Sequence, residues 1–223
     1  MIYEKLASYY DQFIDNELND LYLKIIKKYF DEGTVIDLGT GTAPVAVELA
    51  KLGFSVTATD ISPSMLEMAY NTAVMEDVHV NLYIHNILEK INSQYDIVTM
   101  TSDVINYLES KDEVLTVFEN VAEALHNKSI FIFDALRVKY IEKMDKYHED
   151  ILMKDELIEW DVYKTMIPNQ IKHVVKIGNE IETHIQTTYK QSEYQAMLKK
   201  HNLIIVEKKK LDERIVYVCK KRV

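Results

Sequence analysis

A chain of 223 residues with 48% hydrophobic side chains can bury the core of one α/β domain and is too apolar to stay disordered. Lys and Arg number 26 against 36 Asp and Glu, leaving a net charge of −10 whose field repels nucleic-acid phosphates. One cysteine, Cys219 in the apolar alternation "RIVYVCK", rules out an intrachain disulfide and a cysteine zinc site.

The N-terminal stretch "MIYEKLASYYDQFIDNEL" lacks the basic start and apolar core of a signal peptide. No apolar run approaches the ~20 residues of a membrane helix, so a cytoplasmic protein without a membrane partner is expected. Residues 3–13 and 16–30 space their apolar side chains three and four apart and read as helices, closed by Gly33. "TVIDLG" (34–39) is a short, almost wholly apolar strand of the kind buried in a parallel sheet. "PVAVELAKLG" (44–53) opens with proline and ends on glycine, a helix start and stop. "FSVTATD" (54–60) is a strand, and "SPSMLEMAYNTAVME" (62–76) is a helix capped by Ser62.

Strands follow at 78–86 and 95–102, a helix at 111–127 and a fifth strand at 129–136. Strands and helices in this rhythm make β-α-β units and a doubly wound, mainly parallel sheet. Beyond residue 137 the pattern changes. "YIEKMDKYHEDILM" (140–153) reads as helical, and 156–190 as an antiparallel meander turning at "IPNQ" and "IGNE". A helix at 191–202 and strands "LIIVEKKK" and "RIVYVCK" close the chain as an antiparallel pair. The basic run "EKKKLDER" (207–214) carries its own acids and flanks their turn.

Two readings compete for the glycine turn "VIDLGTGTAPVAVELA" (35–50). A dinucleotide site wants G-x-G-x-x-G followed by an acid about twenty residues on. Gly39, Gly41 and Asp60 fit, but Pro44 stands where the third glycine belongs. The other reading weighs Asp37, whose carboxylate would hold an ammonium group, directly or through water, and repel a pyrophosphate. Asp60 would then accept both hydroxyls of a ribose.

The stretch "VIDLGTGTAPVAVELAKLGFSVTATDISPSMLEMA" resembles motifs I and II of the class I S-adenosylmethionine-dependent methyltransferases, with Ala43 in the last glycine place of motif I. "YIHNILE" is similar to the family's adenine-contacting segment, with Asn86 where most relatives carry Asp. "YDIVTMTSDVINYL" resembles its motif IV, and "NKSIFIFDAL" a helix-turn-strand segment with Asn127-Lys128 for the usual Pro-Gly. "ETHIQTTYKQSEYQAMLKKHNLIIVE" resembles the tail of small-molecule methyltransferases. The resemblance implies a Rossmann-like, doubly wound, seven-stranded sheet with its last strand antiparallel. It implies one domain over 1–223: a helical lid (1–32), a cofactor-binding core (33–136), a small antiparallel β cap insertion (137–190), and the core's last helix and hairpin (191–223).

The cofactor so implied is S-adenosyl-L-methionine, held by Tyr10, Asp37, Gly39, Thr40, Gly41, Asp60, Ile61, Met65, Asn86, Ile87, Thr101 and Ser102. Tyr9, Tyr10 and Asp11 lie on the lid, and Tyr10 would reach the methionine carboxylate. The acceptor would be a small molecule, met by Asp103, Asn106, Tyr107, Asp134, Arg137, Trp160 and His184. Arg137 would pair with a substrate carboxylate or with Asp134; Tyr163, His173 and Gln186 share the meander. Methyl transfer runs chiefly on alignment, so no triad is needed. A general base stays unassigned, with His184, Tyr10 and Asp103 as candidates and His184 favoured by its titration near neutrality. No metal is expected. The alternatives are a nicotinamide-dependent reductase and a non-catalytic cofactor-binding module; RNA is disfavoured by charge and by a motif IV lacking the Asn/Asp-Pro-Pro-aromatic string. A monomer or a homodimer is expected.

Overall fold

The computed structural model describes residues 15–153 and 156–222. The 3–13 helix, and with it Tyr9, Tyr10 and Asp11, lies outside the described residues. Helix α1 (Asn16–Tyr29) is capped by Asp15, whose carboxylate accepts the Leu18 N–H. Strand β1 (Thr34–Leu38) leads through the glycine turn into α2 (Pro44–Lys51), then β2 (Ser55–Asp60) and α3 (Pro63–Met75). The Ser62 hydroxyl accepts the Met65 N–H, the cap expected of a serine before proline.

Strands β3 (Asn81–Ile84) and β4 (Tyr95–Met100) follow, then a single 3-10 turn (Val104–Tyr107). Helix α4 (Lys111–Ala124) carries a full Ser110/Glu113 capping box, and β5 (Leu125–Leu136) starts directly from its end. The boundary therefore falls four residues before the expected strand start. Leu125 already pairs with Tyr95, and the register slips before Ile97 meets Ile130.

The sheet has seven strands in the order β10-β11-β5-β4-β1-β2-β3, with β10 (Leu203–Lys210) and β11 (Arg214–Lys221) preceded by α6 (Gln191–Lys200). Strands β1 to β5 pair in parallel, whereas β11 runs antiparallel to both its neighbours. This is the doubly wound sheet with a reversed last strand. Alternation along the strands feeds two cores. Ile36, Val98, Phe131 and Phe133 face the side covered by Phe118 of α4 and Tyr194 of α6. Val35, Ile97, Ile130 and Ile132 face Tyr22, Val47 and their neighbours on α1 and α2.

Between β5 and α6 stands a separate four-stranded antiparallel sheet, β6-β7-β8-β9. Here the expected helix over 140–153 is corrected. Only α5 (Val138–Lys143) is helical, and Tyr147–Met153 is β6. Lys146 at φ +63 breaks the helix, and seven residues then pair in register with β7 (Glu156–Lys164). Pairing with a neighbouring strand edge overrides a helical spacing when the segment is mostly exposed, here with Ile151 and Met153 packing inward. The meander β7, β8 (Gln170–Ile177) and β9 (Glu180–Thr187) turns at Asn169 and Gly178, both left-handed.

Candidate functional site

The site starts at the glycine turn. Gly39 sits at φ +70, and a Cβ there would lie 2.6 and 2.7 Å from the Val104 methyls. Only glycine lets the turn after β1 press against the turn after β4. Ala43, at φ +65 and fully buried, holds the place of the motif's last glycine. A left-handed alanine costs about 1–2 kcal/mol, which burial of its methyl partly offsets.

Asp37 points from β1 into this turn and accepts the Thr99 and Thr40 hydroxyls at 2.6 and 2.7 Å. Burial pushes its carboxyl up to about 6, against the pull of those two hydroxyls, with the Asp60 charge adding to the rise. Asp60, the last residue of β2, accepts the Gly41 and Ser62 N–H groups, both at 2.9 Å. Burial raises it too, opposed by those backbone bonds. One carboxylate thus fixes the turns after β1 and after β2.

Both acids line a cleft of about 550 Å³ at the carboxyl ends of the strands, with Gly39, Thr40, Gly41, Ile61 and Met65 on the same wall. Asn86, Ile87, Thr101 and Ser102 also line it. Asn86 Oδ1 accepts the Leu88 N–H, which leaves its NH₂ group as a donor on that wall. His85, buried beside it, is an unforeseen member of the wall.

The far end is built differently. Ser102 and Asp103 are both left-handed, at φ +59 and +69, a strained pair where β4 leaves the sheet. Ser102 N–H donates to the Tyr22 hydroxyl. Arg214 Nη1 bonds Asp103 at 2.8 Å and Asp134 at 2.9 Å, and Asp134 Oδ2 also accepts the Asp103 N–H. Burial lifts the Asp103 carboxyl above the usual range, Arg214 pulls it back, and Asp134 adds to the rise. Burial works against the Arg214 charge, but the two carboxylates hold it protonated.

The second sheet supplies the roof, where Trp160, His173, His184 and Gln186 line the cleft. Trp160 Nε1–H donates to His173 Nδ1 at 3.1 Å, so the imidazole proton sits on Nε2, 3.0 Å from Gln186 Oε1. Burial pushes His173 down to about 4, with Gln186 acting against it. Burial lowers His184 as well, opposed by Glu182, and its ring meets Tyr107 edge-on at 6.2 Å.

Of the expected acceptor residues, Asp103, Tyr107, Trp160 and His184 come together on the cleft wall. Asn106, Asp134 and Arg137 do not line it. Asn106 is fully buried, its Oδ1 accepting the Leu136 N–H and its NH₂ donating to the Thr187 carbonyl. Asp134 lies behind Asp103 with no exposed surface. Arg137 reaches the Leu211 and Asp212 carbonyls, and the guanidinium on Asp134 belongs to Arg214. Arg214 opens β11, and the reversed last strand brings that end back to the carboxyl edge of the sheet. That topology was the signal that could have singled it out. Among the described residues no group of three or more His, Cys, Asp or Glu could hold a metal.

The residue set fits a sulfonium amino-acid nucleoside: a bare backbone cradle at Gly39, a buried acid at Asp37 and a second carboxylate on the cleft wall at Asp60. Residues 35–128 match the family model described as "Methyltransferase domain". A Geobacillus sp. (strain WCH70) protein named "Putative methyltransferase" is 30% identical over 99% of this chain and 100% of its own length. An S-adenosylmethionine-dependent methyltransferase from Clostridium acetobutylicum ATCC 824 superposes with a TM-score of 0.84 at 22% identity, covering 99% of both chains. The S-adenosylmethionine-bound amino pentose methyltransferase CalS10 from Micromonospora echinaspora gives 0.73 at 16% identity, over 96% of this chain and 95% of that one. The dinucleotide reading of the turn gives way, and S-adenosyl-L-methionine is the cofactor. The chain belongs to the class I S-adenosylmethionine-dependent methyltransferases.

Proposed function

We propose that this methyltransferase acts on a small molecule enclosed between the glycine turn and the second sheet. The observation that carries the reading is the continuous cleft of about 550 Å³, which runs from Asp37 and Asp60 to the Trp160–His173–Gln186 roof. A volume of that order suits a small ligand. The likeness to an amino pentose methyltransferase supports the same acceptor size.

Asp37, Gly39, Gly41, Asp60, Ile61, Met65, Asn86 and Ile87 would hold the cofactor, which supplies a methyl group already activated on a sulfonium. The chain's own work is then alignment. Holding two reactants in register can lower a barrier by roughly 7–11 kcal/mol without any acid or base. The roof excludes water from the meeting point. Where an acceptor must lose a proton, His184 is suited to take it, because burial keeps its imidazole neutral near pH 7. In this reading the second sheet is a cap inserted into one domain, not a domain of its own.

The test is a metabolite-library incubation with S-adenosylmethionine, read by mass spectrometry for products 14 Da heavier, a ~14 Da gain being one CH₂. Asp60→Ala is expected to weaken S-adenosylhomocysteine binding at least about tenfold in calorimetry and to abolish the products. Unchanged binding in that variant would remove Asp60 from the cofactor site, and no methylated product from any small molecule would sink the acceptor class.

A further inference from the structure

We propose that the acceptor end of the cleft binds a cationic amine, whose ammonium group pairs with the Asp103 carboxylate held by Arg214. The assignment rests on the methyl-transfer reading for which end of the cleft is the acceptor's.

Charge decides the sign of the ligand. The described residues lining the cleft include six carboxylates, Asp15, Asp37, Asp60, Asp103, Glu109 and Glu113, and one permanently charged cation, Arg214. The imidazoles of His85, His173 and His184 are all held neutral by burial and add no positive charge at neutral pH. An anionic acceptor would enter a wall of its own sign.

Arg214 cannot reverse that judgement. Its Nη1 is shared by Asp103 and Asp134, and Glu213 approaches Nη2 at 4.0 Å. A guanidinium already clamped by two carboxylates has little attraction left for a third, and above the raised titration range of Asp103 the buried trio carries two carboxylates to one guanidinium. Asp134 Oδ1 is buried with no hydrogen-bond partner among the described residues, so one carboxylate oxygen of the trio is left unmatched. Within it Asp103 alone of the two acids reaches the cleft, its side chain 17% exposed against 0% for Asp134.

The backbone and the neighbouring rings agree. Two consecutive non-glycine residues, Ser102 and Asp103, are held left-handed at a cost of about 1–3 kcal/mol each, a strain that sets the Asp103 side chain toward the cavity. Tyr107, Tyr140 and Trp160 line the same cleft, and aromatic walls add a preference for cations over neutral ligands.

Three probes of one shape and different charge test the assignment: cyclohexylamine, cyclohexanol and cyclohexanecarboxylate. Each is titrated by NMR into the full chain saturated with S-adenosylhomocysteine, near pH 8, where the amine is cationic. The amine is expected to bind at least about tenfold tighter than the alcohol, with the carboxylate weakest. In Asp103→Asn the amine's advantage should shrink to within about threefold. The comparison on the unmodified chain stands even if that variant fails to fold. Equal binding of amine and alcohol, or an advantage that survives Asp103→Asn, would overturn the assignment and leave the methyl-transfer reading intact. Failure of S-adenosylhomocysteine to bind the unmodified chain would overturn both.

Discussion

Burial lifts the Asp37 carboxyl to about 6 although the Thr99 and Thr40 hydroxyls both favour its charge. The folded chain therefore holds that proton more tightly than the unfolded chain, whose aspartate titrates near 3.9. Stability falls as pH rises through the window between these values, by up to about 3 kcal/mol above pH 6. Replacement by the isosteric amide removes the cost. Asp37→Asn is expected to gain about 1–3 kcal/mol in urea melts near pH 8 and to gain little near pH 4, where the native acid is already neutral. Its binding of S-adenosylmethionine should weaken at least about tenfold, because an amide offers the cofactor's cationic groups no counter-charge. In the unmodified chain the same affinity should decline as pH drops below about 6, following Asp37 protonation. A variant equally destabilised at both pH values would show that Asp37 is a packing residue and not a strained ligand.

Elements are joined at the site by single polar residues, and Asn106 is the clearest of them. From the 3-10 turn after β4 it accepts the Leu136 N–H at the end of β5 and donates to the Thr187 carbonyl at the end of β9. One amide thus ties the large sheet to the roof. Asn106→Ala would strand a buried N–H and a buried C=O, so a loss of about 2–4 kcal/mol is expected. Asn106→Asp should fare no better, since a carboxylate cannot donate to Thr187, and thermal melts of the two variants decide the point. Such links are hard to read in advance, because they depend on which chain ends meet. The glycine turn, Asp60 and the β-α-β rhythm were legible because each is local: a period, a cap, a spacing of about twenty residues. The strand at Tyr147–Met153 was not, because its side chains are mostly exposed and only pairing with β7 fixes its state. Arg214 looked like one more residue of a charged turn until β11 brought it against Asp103 and Asp134.

At the scale of the whole molecule, cofactor and fold are coupled because the cleft is built from the ends of the strands that form the central sheet. Asp37 ends β1 one residue early, Asp60 closes β2, and Thr101 follows β4 directly. A ligand that binds only when these ends are assembled must stabilise the sheet as a unit, by RT ln(1 + [L]/Kd). With S-adenosylhomocysteine at about a hundred times its Kd, the gain is about 2.7 kcal/mol. For a chain of this size each kcal/mol moves the melting temperature by about 2–4 °C, so a rise of about 5–10 °C is expected. NADH at the same concentration should leave the transition within about 1 °C, since its pyrophosphate would face Asp37 and Asp60 with no cation of the described residues between them. The roof adds a second observable. Its own small core is Ile158, Val175 and Ile177, and Asn106 and the Trp160–His173–Gln186 chain line or anchor the same space. If the roof closes over the ligand, hydrogen exchange in β7 to β9 should slow together with that of β1 and β2. Protection confined to β1 and β2 would mean that the cofactor end works alone, and that the acceptor is what draws the roof down.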